Sequence, residues 1–142
     1  MSIIFSRHPA HAGLAVLGVI VLFAFVSYVL DLPGIARSWF VNLSWTLTSL
    51  ATGLICLASA RLLDGADRRA WRYYGYGCLA WFAGMLIWSY YELIERQTTP
   101  FPALSDLGFL AFAPLFLLGL MNEFTRMAGR QLTLKNISDI GL

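Results

Sequence analysis

Four stretches without a single charged residue limit what this chain can fold into: Ala12 to Leu30, Ser38 to Ala60, Tyr73 to Tyr91 and Leu107 to Asn122. A hydrocarbon core about 30 Å thick takes roughly 20 residues of helix, each rising about 1.5 Å. The first three runs reach that length. The fourth covers only about 24 Å, so it has to thin the bilayer or draw in Phe124 and its flanks. Membrane barrels are built of short alternating strands, a pattern these continuous runs do not show. The composition agrees: 58% of residues are hydrophobic and 13% charged, against about 25% charged in soluble domains. The expected fold is an all-α membrane protein of four transmembrane helices, over about 12–30, 38–60, 73–94 and 105–124. Residues 1–125 form the membrane domain and 126–142 a short cytoplasmic tail.

The placement of charge gives the orientation. Net charge is +2, but Arg7 precedes the first span, Arg61, Arg68, Arg69 and Arg72 separate the second from the third, and Arg126, Arg130 and Lys135 follow the fourth. Only Arg37 and Arg96 lie in the other two loops. Such a bias places both termini and the middle loop in the cytoplasm, and short connections make neighbouring helices antiparallel, an up-down bundle. These arginines are accounted for by orientation, and nucleic acid is not an expected partner. The first span exceeds the usual apolar core of a secretory signal of about 7–15 residues, and it is read as an uncleaved anchor. His8 and His11 sit at the membrane edge, with no third histidine to build a haem site. Cys56 and Cys78 lack metal-site spacing. No cofactor, metal or enzymatic activity is expected.

Within the spans, side-chain spacing separates packing faces from a candidate site. In the second span Asn42, Thr46, Ser49, Gly53, Cys56 and Ala60 recur at steps of four and three, a small or weakly polar stripe suited to close helix packing in lipid. Arg61 to Arg72, with Asp64 and Asp67, reads as a cytoplasmic loop. The third span opens on an aromatic belt of Trp71, Tyr73, Tyr74 and Tyr76, and Gly77, Ala80 and Gly84 give it a packing face. Its other face carries Trp81, Met85, Trp88 and Glu92, with Arg96 one turn on and placed to pair with Glu92. A carboxylate closing an aromatic stripe can floor a cavity for a cationic or aromatic ligand. Pro100 and Pro102 stiffen the outer loop. Ser105 is expected to cap the last span and Asp106 to suit its first turn; Pro114 removes one of that helix's hydrogen bonds and is expected to kink it. The candidate ligand-binding residues are Trp81, Trp88, Glu92, Arg96 and Asp106.

From Trp71 to Leu120, about a third of the chain, Gly77, Trp81, Gly84 and Trp88 followed by Pro100-Phe-Pro102-Ala-Leu-Ser105-Asp106 resemble the amino-terminal membrane regions of bacterial signalling proteins. Those regions precede diguanylate cyclase (GGDEF), phosphodiesterase (EAL) or histidine-kinase modules. The resemblance implies a module of the bacterial inner membrane that senses or binds a ligand or lipid at its outer face, and it transfers no binding residue. The chain departs from that pattern in having fewer spans and no cyclase, kinase or nucleotide-binding motif, so no catalytic output is expected from it. Membrane lipids are the expected surroundings, with a homo-oligomer or a larger membrane complex as the expected assembly. The alternative function is structural, that of an accessory subunit of a respiratory or photosynthetic complex.

Overall fold

The computed structural model describes residues 18–19, 21–30 and 32–140, with side chains as far as Gly129. The described residues are almost all helical, with no strand among them. Among the described residues three helices are long and apolar enough to cross a membrane: α1 (Gly34–Ala60), α2 (Gly65–Ser89), which continues as a π-helical segment over Tyr90–Glu95, and α3 (Leu104–Ile140), apolar to Gly129. At about 1.5 Å per residue, the 27 residues of α1 and the 26 of Leu104–Gly129 each exceed a 30 Å core. The expected shortfall of the last span is therefore removed by its flanks. Of the expected first span, 12–17 and Ile20 lie outside the described residues, as do Arg7, His8 and His11; its described part is helical as far as Val29.

Contacts divide the chain into two units, Met1–Val41 and Asn42–Leu142. In the first, Phe25–Val29 is a π-helical turn closed by the Leu30 amide donating to the Phe25 carbonyl at 3.1 Å. Phe23 stacks on Phe40 with ring centroids 5.6 Å apart, and the Arg37 guanidinium lies 5.7 Å from the centre of the Tyr28 ring.

In the second unit the rest of α1, α2 with its π segment, and α3 pack antiparallel through small residues. The buried residues of α1 are Asn42, Thr46, Gly53, Cys56 and Ala60, the stripe read from spacing, with Ser49 at its edge. A methyl group on Gly53 would lie 2.9 Å from the Leu79 side chain, and one on Gly75 would lie 2.7 Å from that of Leu57. The crossing of α2 and α3 is tighter still. A Cβ on Gly108 would meet the Ala80 carbonyl at 2.5 Å and the Gly84 amide nitrogen at 2.7 Å, and one on Gly84 the Ser105 carbonyl at 2.8 Å. In hydrocarbon no hydrophobic force draws helices together, so close backbone approach at glycine supplies the van der Waals contact.

Burial is correspondingly inverted relative to a water-soluble protein. Thr46, Asn42, glycines, alanines and cysteines are inside, whereas Leu47, Leu54, Ile55, Leu86, Leu110, Leu117 and Phe124 are exposed. An apolar exterior of this extent is natural in lipid.

Several local expectations are corrected. The loop expected over 61–72 is only a turn at 61–64: Gly65, at φ 59°, reverses the chain, and Arg68, Arg69 and Arg72 already lie on α2. Asp67 in the first turn favours that early start through the helix dipole. Ser105 is not the cap of α3. It lies inside the first turn, fully buried against Gly84, and the cap is supplied by Asp106, whose carboxylate accepts from the Ala103 amide at 2.8 Å. This is the reach-back half of a capping box. Pro114 sits within α3 without interrupting it, and the helix runs on through the expected tail to Ile140.

Candidate ligand-binding site at the Glu92 end of the second unit

The site begins with a change of helix type. After Ser89, α2 widens into the π segment Tyr90–Glu95, and the chain leaves it through Arg96 in the left-handed region at φ 55°. The Gln97 amide closes back on the Tyr91 carbonyl at 3.2 Å, a ring one residue wider than the usual helix-ending motif. Single π turns inside α-helices are frequent at functional sites. Here the widened turn holds Glu92.

One carboxylate oxygen of Glu92 gathers two neutral donors. Its Oε2 accepts from the indole Nε1 of Trp88 at 2.9 Å and from the side-chain amide of Asn42 at 3.1 Å. The Asn42 carbonyl oxygen accepts from the Ser89 hydroxyl at 3.1 Å, and the Asn42 backbone carbonyl accepts from the Thr46 hydroxyl at 2.7 Å. Asn42 is 3% exposed. A buried amide held on both sides fixes the height of the carboxylate above the α1–α2 contact, since a buried polar group left unbonded costs about 1–3 kcal/mol. No described residue bonds Oε1 of Glu92, and neither described ion pair, Arg68–Asp64 or Arg126–Asp67, involves Glu92.

Below the carboxylate, aromatic rings form a continuous column. Trp88 contacts Phe109 of α3 at 6.3 Å between centroids, and Trp81 contacts the same Phe109 at 4.9 Å. Trp81 also touches Trp45 of α1 at 6.3 Å and Phe112 at 5.4 Å; Phe112 continues to Phe116 and Phe116 to Tyr74. The column ends at Tyr74, beside Glu123, the Arg126–Asp67 ion pair at 2.9 Å and the Arg69–Asn122 bond at 3.0 Å. Residues 67–74 and 119–126 thus share the end of the unit opposite Glu92.

The structure therefore joins Trp81, Trp88 and Glu92 and leaves Arg96 and Asp106 out of their bonding. The expected Glu92–Arg96 pair does not form, because the π register and the left-handed turn carry Arg96 off the one-turn spacing the pair needs. Asp106 is committed to the start of α3. Asn42, Ser89 and Phe109 were missed as site residues. Asn42 carried a usable signal: it is the polar residue at the Glu92 end of an antiparallel neighbour. No protein-family model, curated protein or solved structure matches the chain.

Proposed function

We propose that this chain is a non-catalytic sensory module of the bacterial inner membrane. It spans the bilayer four times with both termini cytoplasmic, and its outer face binds a ligand or lipid at the Glu92–Trp88 node. The observation that carries the reading is one residue shared by two elements: Phe109 of α3 touches both Trp88 and Trp81. Occupation of the node bears directly on α3, which runs unbroken to Ile140 past the arginine-rich end. The orientation is supported by Asp67–Arg126 and Arg69–Asn122, which bring two of the basic segments together, as the preference of arginine for the cytoplasmic side requires. The resemblance of residues 71–120 to membrane regions of signalling proteins points the same way.

The experiment is a distance measurement between spin labels at Leu62→Cys and Met127→Cys, in a Cys56→Ala, Cys78→Ala background in lipid. On the sensory reading, Trp88→Phe or Glu92→Gln shifts the 62–127 distance distribution. An unchanged distribution in both contradicts it.

A second reading, an accessory subunit of a membrane complex, rests on the exposed apolar face of α3 at Leu107, Leu110, Leu117 and Met121. Lipid covers such a face as well as a partner helix does, so the sensory reading is preferred. Stoichiometric co-purification with a large complex in mild detergent favours the subunit; a lone oligomer favours the sensor.

A further inference from the structure

We propose that the node formed by Glu92, Trp88 and Asn42 takes a substituted ammonium group, the cation resting against the free Oε1 of Glu92 and the face of Trp88. The inference deepens the sensory reading and rests on it for the site. The charge is decided first. The Glu92 carboxylate meets only neutral donors, Trp88 and Asn42, and takes part in neither described ion pair, so the partner that complements it is a cation.

The kind of cation follows from geometry. A metal ion is disfavoured, because no three of the described His, Cys, Asp and Glu side chains come together, and hard cations ask for several oxygen ligands. A guanidinium binds a carboxylate best through both oxygens, but Oε2 already accepts two bonds, leaving Oε1 for a single contact. That leaves a point-like charge. Trp88 is 38% exposed, and indole ring faces attract alkylated ammonium groups through the aromatic quadrupole. The residue that fixes the carboxylate, Asn42, is buried, so the acceptor is held in place before a ligand arrives.

The same chemistry has two sources, a soluble quaternary amine or the choline headgroup of a lipid, and the test separates them. The full chain is placed in phosphatidylglycerol nanodiscs and titrated with tetramethylammonium chloride against matched sodium chloride. Binding is read from saturation transfer to the ligand methyl protons. A saturable, sodium-insensitive signal is expected. Glu92→Gln, which keeps an oxygen acceptor for Trp88 and Asn42, should weaken it by at least about tenfold, and Trp88→Leu by roughly three- to tenfold. Trp71→Phe, at the opposite end of α2, should leave it unchanged.

In discs containing phosphatidylcholine, loss of the tetramethylammonium signal assigns the site to the lipid headgroup, and retention assigns it to a soluble amine. Either result supports the ammonium class. No saturable signal in phosphatidylglycerol discs, or an equal signal in Glu92→Gln, overturns it. The sensory reading survives that failure if the 62–127 distances still respond to substitution at the node, and it falls alone if they do not while the cation still binds.

Discussion

At the scale of single residues, the account rests on two kinds of position: glycines that admit a neighbouring helix, and one carboxylate bonded from the helix beside it. Gly108 is the most demanding glycine, because everything a Cβ would strike there is backbone of α2. Gly108→Ala must push α2 and α3 apart, a change of the overpacking kind that costs about 1–3 kcal/mol. Gly129→Ala, where a Cβ meets nothing within 4 Å, should be neutral or stabilising by up to about 1 kcal/mol through helix propensity. Thermal denaturation of the two variants in one detergent checks the contrast, and equal losses would contradict the packing. Arg96 offers a test of opposite sign. A non-glycine residue in the left-handed region is strained by about 1–2 kcal/mol, partly offset by the chain entropy glycine loses on folding. Arg96→Gly should therefore raise stability by about 0.5–1 kcal/mol, and a loss would mean that the Arg96 side chain makes a contact of its own.

At the scale of elements, the α1 stripe and the Trp81–Trp88–Glu92 face were legible in the sequence because both follow the helical repeat, which holds as far as the helix stays α. Reading failed where it did not. The π segment displaced Arg96 from its expected partner. Burial of Ser105 beneath Gly84 passed the capping role to Asp106, since the closeness of α2 and α3 is set by glycines on both helices and cannot be read from either alone. The start of α2 was missed because arginines that look like a loop can extend from a helix end into the interface. The two ends of the α2–α3 contact differ in strength. Arg126–Asp67 is half exposed on the arginine side, and pairs of that kind contribute about 0–1 kcal/mol. Asp67→Asn should thus cost less than Gly108→Ala, and its effect should shrink at high salt. A loss that exceeds the glycine variant's and ignores salt would show the ion pair to be the principal tie between these helices.

At the scale of the whole molecule, what is inside and what is outside decides the setting. A chain that buries asparagine, threonine and glycine while exposing leucine, isoleucine and phenylalanine leaves its apolar side chains to its surroundings, an arrangement suited to hydrocarbon. The last three uncharged runs pointed to this setting early, whereas the node at Glu92 needed the third dimension, because Asn42 and Glu92 are 50 residues apart. The measurement that tests the claim most directly is thiol labelling of intact cells with a membrane-impermeant reagent, comparing Thr98→Cys beyond the Glu92 end with Leu62→Cys at the arginine-rich end. Thr98→Cys should label from outside and Leu62→Cys only after lysis. Labelling of both from one side, or release of the protein from membranes by an alkaline carbonate wash, would contradict the account.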